Sequence, residues 1–134
     1  MVEWSGRVVL TTPRLLLRTF RRDDGAFLGM CGLHHQESYP DEVEVAWRLA
    51  REHWGHGYAT EAATGWLDHA FGTMHLPRVI SMTDPPNLRS LAVMRRLGMT
   101  FDHEAEVEDM GMVFQVVVDA ITAEQWRSRL VTRG

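Results

Sequence analysis

The sequence has no lysine, since all 14 of its Lys and Arg positions are arginines. With 18 Asp and Glu residues, its net charge is −4 and its pI is about 5.9. Nucleic-acid-binding proteins usually need a basic surface, so this balance argues against general nucleic-acid binding. The lack of lysine also excludes a Walker A phosphate loop, which needs a lysine directly after its second glycine.

Cysteine is also scarce, because Cys31 is the only one. No disulfide can form within the chain, which favours a reducing compartment. No apolar run approaches membrane-spanning length, and the first ten residues are too polar for a signal peptide. These absences predict a soluble, cytoplasmic protein without a membrane partner. Neither HExxH nor a Cys/His pattern occurs, so no metal site is predicted.

A length of 134 residues with 45% hydrophobic residues predicts one domain with a real core. Alternation of apolar and polar residues predicts most strands, and an apolar face at helical spacing predicts the first helix. The predicted strands cover residues 14–20, 25–33, 43–49, 78–83 and 112–121. The predicted helices cover residues 60–71 and 88–97, with a short one after Thr122. Residues 34–42 are interpreted as a polar loop and 102–109 as a solvated turn. This order favours an α/β or α+β domain with a mixed sheet.

The stretch HWGHGYATEA, residues 53–62, places two glycines directly before the first predicted helix. A helix N-terminus has free N–H groups and a partial positive charge, and glycine lets a phosphate come close. A tight strand-to-helix turn without a ligand explains the glycines equally well. A Rossmann fingerprint does not fit, because Thr60 follows Gly55 and Gly57 where a third glycine would stand.

Within this stretch, WGHGYA resembles the acetyl-CoA pyrophosphate loop of GNAT acetyltransferases, (Gln/Arg)-x-x-Gly-x-(Gly/Ala). Trp54 replaces the usual Gln or Arg, as is common in the branch that is similar to ribosomal-protein N-acetyltransferases. Other stretches resemble the same branch: TTPRLLLR, GAFLGMCGL, VEVAWRL, DPPNLRSLAVMRRLGM and FQVVVDAITAEQW. The resemblance covers nearly the whole chain. It implies a GNAT-like mixed, mostly antiparallel sheet flanked by helices, with a splayed cofactor cleft.

One departure from the family falls between residues 24 and 25. The family usually has several tens of residues there, whereas FRRDD in this sequence runs straight into GAFLG. A naturally short chain, a trimmed chain and omission of disordered residues each explain the difference. If the segment is absent, the acceptor pocket loses much of one wall and apolar surface becomes free for a partner chain. A homodimer is therefore among the expected partners, together with acetyl-CoA and an amine acceptor.

The resemblance implies acetyl-CoA as co-substrate and indicates which residues bind it. Backbone N–H groups of the glycine loop would hold the pyrophosphate. A backbone N–H near Trp47 to Leu49, on the stretch VEVAWRL that resembles the fourth strand of the family, would meet the thioester oxygen. The cofactor-binding residues expected on this basis are Trp47, Leu49, Trp54, Gly55, His56, Gly57, Tyr58, Ala59, Thr60, Asn87 and Ser90.

Two catalytic residues are predicted, each with a structural alternative. By resemblance, Ser90 would protonate the leaving thiolate, although it also suits the first turn of a helix capped by Asn87. Glu44 alternates with Val43 and Val45, and a carboxylate on that face could deprotonate the amine through water. A solvated strand charge explains Glu44 as well, and His34 and His35 are weaker candidates for the base.

The function predicted from the sequence is acetyl-CoA-dependent N-acetyl transfer to a primary amine, either a protein N-terminus or a small amine. The mechanism implied is direct attack of the amine in a ternary complex. Two alternatives remain at this point. One is a catalytically impaired acyl-CoA-binding or regulatory domain, and the other is an interaction fragment without a ligand. Cys31 has no matching catalytic motif and is assigned to strand packing, and Met82, Met94 and Met99 to the core.

Overall fold

The computed structural model describes residues 10–17, 29–36 and 38–133. Within these ranges, seven strands and three helices follow one another, with one 3-10 turn at Arg51–His53. The elements are β1 Leu10–Thr11, β2 Leu16–Leu17, β3 Gly29–Gln36, β4 Tyr39–Leu49, α1 Tyr58–Gly72, β5 Arg78–Thr83, α2 Leu88–Arg96, β6 Thr100–Asp109, β7 Met112–Thr122 and α3 Ala123–Arg133.

Five strands form one sheet in the order β3-β4-β5-β7-β6, while β1 and β2 form a separate two-stranded ribbon. All neighbours in the large sheet are antiparallel except β4 and β5, which are parallel because α1 connects them. This is the mixed, mostly antiparallel sheet that the resemblance implied. The described part of TTPRLLLR, which resembles the first strand of the family, lies in the short ribbon.

The main core lies on the side of the sheet that carries the helices. Alternate residues of a strand point to opposite faces, so Val79 packs there while Ile80 packs on the other side. From α1, the apolar positions at helical spacing are buried, namely Ala62, Ala63, Leu67, Ala70 and Phe71. The α3 residue Trp126 joins this core and donates its indole N–H to Asp68 at 2.9 Å.

The helix ends follow local sequence signals. Asn87 caps α2 by accepting the N–H of Ser90 at 3.1 Å. Beyond the same helix, Gly98 has φ +85°, the left-handed conformation in which glycine ends helices. At α3, Thr122 and Gln125 exchange hydrogen bonds in a capping box. The helix continues well past Trp126, where the prediction ended it.

Two predicted loops are wrong. Residues 34–36 end β3 and residues 39–42 begin β4, and across this hairpin His34 pairs with Glu44 and Gln36 with Tyr39. Residues 102–109 belong to β6, where Val107 faces the second core while Glu106 stays exposed. Both segments carry exposed polar side chains on paired strands, so high polarity does not signal a loop. Part of the predicted strands 14–20 and 25–33, and the junction between residues 24 and 25, lie outside the described residues.

The three helices are of ordinary length, and the longest, α1, has 15 residues. Among the described residues, no helix is both long enough and apolar enough to cross a membrane.

Candidate functional site

The two parallel strands at the centre of the sheet separate and open a cleft. In the described part of the chain, the register pairs β4 with β5 only at Glu44 and Ile80. Beyond that pair, Ala46–Leu49 of β4 and Ser81–Thr83 of β5 line opposite walls of a cleft of about 1190 Å³. Both walls remain paired with their outer neighbours, β3 and β7, but backbone groups that point across the gap have no pairing register with the opposite wall and are available to a ligand.

The N-terminus of α1 forms the wide end of this cleft. Gly55 and Gly57 have φ of +86° and +76°, which are left-handed values that other residues rarely adopt. Gly57 is the N-cap, has no side-chain cap, and accepts the first helical hydrogen bond from Glu61 at 3.0 Å. The N–H groups of residues 58–60 therefore have no partner within the helix, as anion-binding helix ends require.

Thr60 adds a second observation that fits an anion at this end. Its hydroxyl oxygen is buried and has no hydrogen-bond partner among the described residues, and the residue lines the cleft. A buried hydroxyl without a partner is costly, so a ligand that approaches it would recover a hydrogen bond. The residues present thus suit a diphosphate at the start of α1.

Two arginines contact the ring of Trp54 at the mouth of the cleft, which lies beside the glycine loop. The centroid of this ring lies 4.0 Å from the guanidinium carbon of Arg89 and 5.4 Å from that of Arg51. The indole N–H donates to the carbonyl of Leu49 at 2.9 Å, which fixes the ring against the end of β4. The tryptophan therefore holds Arg89 at the mouth by a cation–π contact.

Nearly all of the expected cofactor residues line the cleft. These are Trp47, Leu49, Trp54, Gly55, Gly57, Tyr58, Ala59, Thr60, Asn87 and Ser90. His56 is exposed and is not among the lining residues, and its ring lies 5.5 Å from that of Tyr58. Trp47 also packs against the main core, so its structural and lining roles coincide.

Glu44 lies at the vertex of the cleft rather than along its walls. It occupies the position where β4 and β5 still pair, and its side chain lies on the same strand face as that of Ala46, a lining residue. Glu44 is buried, with 5% exposure. His34 Nε2 contacts its Oε1 at 3.0 Å across the hairpin.

The pKa of His34 is raised, first because of its hydrogen bond to Glu44, although partial burial opposes the shift. The ring is 47% exposed, so it joins the buried carboxylate to the surface. His35, one residue further, contacts the Glu42 carbonyl through Nδ1 at 3.2 Å. The two adjacent histidines thus have different surroundings, which the sequence did not distinguish.

The ribbon of β1 and β2 is fastened to the first turn of α1. Arg14 donates to Glu61 through its backbone N–H at 2.8 Å and through Nε at 2.6 Å. Thr12 donates its hydroxyl to the same carboxylate. The guanidinium carbon of Arg14 also lies 4.6 Å from the ring centroid of Tyr58. The motif TTPRLLLR therefore contacts the glycine loop directly.

Sequence reasoning missed several residues at the cleft. Arg89, Arg96 and Glu61 line it, as do Ser81 and Thr83 of β5. An arginine on a helix face is ordinary, and its position at the cleft follows from how α2 packs beside β5. The signal that was available is the placement of Arg89 between Asn87 and Ser90, two of the expected cofactor residues.

Two titratable groups near the core lie apart from the cleft lining. Burial raises the pKa of the Cys31 thiol to about 12, so it is not a nucleophile at neutral pH. Burial also raises the pKa of Asp119, which Arg95 opposes through a contact at 2.8 Å. Arg95 therefore has a structural partner on β7.

Comparison with known proteins identifies the family. The family profile described as "Acetyltransferase (GNAT) domain" matches residues 8–100, which is more than half of the chain. The chain belongs to the GNAT family. This agrees with the splayed parallel strands and with the loop at α1, and it confirms the superfamily resemblance.

Individual relatives match this chain over part of their own length. The chain is 38% identical over 78 residues to the uncharacterized protein YkkB of Bacillus subtilis, which covers 58% of this chain and 45% of that protein. It is similar to an acetyltransferase structure from Agrobacterium tumefaciens, with 35% identity, TM-score 0.62, and coverage of 79% and 58%. It is also similar to Mycobacterium smegmatis RimJ in complex with CoA-disulfide, with 28% identity, TM-score 0.63, and coverage of 82% and 56%. The chain thus spans about half the length of these proteins.

Proposed function

We propose that this chain is an acetyl-CoA-dependent N-acetyltransferase that transfers an acetyl group to a primary amine. The observation that carries the proposal is the cleft between β4 and β5, which opens at a helix N-terminus with unpartnered N–H groups. Membership of the GNAT family and similarity to a RimJ structure that holds CoA-disulfide support the same co-substrate. Residues 1–134 would form one such domain, shortened between residues 24 and 25.

The loop end of the cleft would bind the diphosphate of acetyl-CoA. Gly55 and Gly57 orient the loop, and the N–H groups of residues 58–60 would donate to phosphate oxygens. The hydroxyl of Thr60 would gain a partner on binding. Arg89, held on Trp54, adds positive charge at the mouth.

The splayed strands would receive the pantetheine arm and orient the thioester. Residues 46–49 of β4 carry backbone groups that have no pairing register with β5. An N–H near Trp47 to Leu49 would donate to the thioester oxygen and stabilise the negative charge that develops there. Holding the thioester in this way also aligns it for attack, which lowers the entropic part of the barrier.

Glu44 and Ser90 would transfer the protons. Glu44 is ionisable, buried and close to the vertex, and it would accept the amine proton through a water molecule. Ser90 lines the cleft from the first turn of α2 and would donate a proton to the leaving thiolate. The amine nitrogen forms the new C–N bond, and the C–S bond then breaks to release CoA.

The acceptor class follows from what Glu44 has to do. An α-amine has a pKa near 8, whereas a lysine side chain has a pKa of about 10.4. A single carboxylate deprotonates an α-amine more readily than a lysine side chain. We therefore propose a protein N-terminus or a small amine of low pKa as acceptor.

The first experiment is a thermal melt with and without acetyl-CoA. A ligand at 100 times its Kd adds about 2.7 kcal/mol to the free energy of unfolding, which raises Tm by several degrees. A rise with acetyl-CoA, followed by CoA release on an amine panel, supports the enzyme. A rise without turnover on any amine favours an impaired acyl-CoA-binding domain. A cooperative melt that acetyl-CoA leaves unchanged contradicts the proposal.

A further inference from the structure

We propose that Arg14 is a positioning residue of the diphosphate site, where it neutralises Glu61 so that an anion can approach the start of α1. This inference rests on the proposed function, because the anion in question is the diphosphate of CoA. It assigns a specific role to the β1–β2 ribbon, which otherwise lies outside the large sheet.

The charge of Glu61 is unfavourable for anion binding at the start of α1. It lies in the first turn of α1 and lines the cleft, and its side chain is only 16% exposed. A carboxylate there stabilises a helix N-terminus without a ligand, but it repels a second anion at the same place. Burial would raise the pKa of Glu61, yet hydrogen bonds from Thr12 and Arg14 outweigh burial and keep the pKa below its ordinary value. Glu61 is therefore ionised at neutral pH.

Arg14 compensates the negative charge of Glu61. Its Nε lies 2.6 Å from Oε1 of Glu61, and its backbone N–H donates to Oε2 at 2.8 Å. Arginine side chains carry a permanent positive charge in proteins. The pair is therefore neutral as a whole, and the helix end keeps its partial positive charge for a ligand.

The guanidinium of Arg14 also lies next to the glycine loop. A β-carbon built on Gly57 would lie 3.5 Å from Nη2 of Arg14, so this nitrogen borders the N-cap of α1. The Arg14 side chain is 48% exposed and has N–H groups beyond the one given to Glu61. Arg14 is thus held at the anion site by Glu61 and by the ring of Tyr58.

A titration of charge variants tests the inference. Calorimetry on the full chain would measure Kd for CoA and for 3′-dephospho-CoA, which keeps the diphosphate but lacks the 3′-phosphate. The variants are Arg14→Gln, Arg14→Lys, Glu61→Gln and the double variant Arg14→Gln/Glu61→Gln. Arg127→Gln, an exposed position on α3 that does not line the cleft, controls for loss of one positive charge.

We expect Arg14→Gln to raise the Kd of both ligands roughly fivefold to tenfold, which is the size of effect that one charge has at a partly buried helix end. Arg14→Lys should keep most of the affinity. The double variant should bind within about twofold of the original protein, because removal of Glu61 removes the need for compensation. Arg127→Gln should change neither Kd.

Three results would overturn the inference. They are an unchanged Kd in Arg14→Gln, a loss limited to CoA, or no recovery in the double variant. A loss limited to CoA would place Arg14 at the 3′-phosphate instead. If Arg14→Gln does not fold, Glu61→Gln alone decides, since it should bind both ligands at least as tightly as the original protein. Failure of the unaltered protein to bind either ligand contradicts the proposed function itself.

Discussion

The two ends of the cleft are built in different ways. The loop end, residues 54–61, consists of consecutive residues whose backbone conformation forms the site. The vertex consists of Glu44, held by pairing with Ile80 on β5 and by contact with His34 on β3. A loop made of neighbours in sequence leaves a readable motif, whereas a site made by strand register leaves single residues without a motif. The predictions below test whether the two ends also have separate functions.

The largest expected effect is at the vertex. Glu44→Gln keeps the size of the side chain and an acceptor for His34, but it removes the proposed base. We expect kcat to fall by about a hundredfold or more, the usual contribution of a general base, with little change in the Kd of acetyl-CoA. Steady-state kinetics and calorimetry measure the two quantities. Glu104→Gln, an exposed position on β6, is the matched control. An unchanged kcat would move the base elsewhere.

The opposite pattern is expected at the loop end. Gly57→Val places a β-branched residue at φ +76°, which costs about 1–3 kcal/mol unless the loop rearranges. A rearranged loop turns N–H groups away from the ligand, so the Kd of acetyl-CoA should rise about tenfold or more. Gly32→Ala on β3 is the control, because a β-carbon there meets nothing within 4 Å. If Gly57→Val changed kcat and left Kd unaltered, the two ends would not be functionally separate.

A smaller effect is expected at the mouth, next to the loop end. Arg89→Gln removes the guanidinium that lies 4.0 Å from the Trp54 ring centroid. An exposed charge pair contributes up to about 1 kcal/mol, so loss of the positive charge that Arg89 offers a phosphate should raise the Kd of CoA only about twofold to fivefold. Calorimetry on Arg89→Gln and on the control Arg127→Gln would measure the Kd of CoA in each variant. Equal values in the two variants would show that Arg89 does not contribute.

The smallest effect concerns pH and the vertex. Because the folded pKa of His34 is raised, the pair with Glu44 stabilises the fold fully below the unfolded pKa of about 6.5. That stabilisation is lost as pH rises through the higher folded pKa. Tm measured between about pH 5 and pH 8 should therefore decline less in His34→Gln than in the unaltered protein. His35→Gln should keep the original profile, and identical profiles for both variants would contradict this assignment.

Much of the fold was predictable from local signals. The prediction of a strand at residues 78–83 is confirmed to the residue, and those of α1 and α2 are confirmed within two residues. Asn87 was predicted as a cap and accepts the expected hydrogen bond. Such signals are readable because caps and apolar periodicity act between residues that are close in sequence.

The wrong predictions share one physical cause. Residues 34–36, 39–42 and 102–109 lie in paired strands that carry exposed polar side chains, and polarity alone does not separate such strands from loops. Alternation was present in residues 102–109. His103, Ala105 and Val107 are at least partly buried, while Glu104 and Glu106 between them stay exposed. A high density of acidic residues obscured that period of two.

The sequence by itself determined the loop of α1, the cap of α2 and the family resemblance, because each depends on residues within one short stretch. Only the tertiary structure decided that Glu44 lies at the vertex beside His34 rather than His35, and that Arg14 meets Glu61. These contacts depend on sheet register and on where the ribbon docks. Register and docking are set by the packing of the whole core, so no short stretch contains the information.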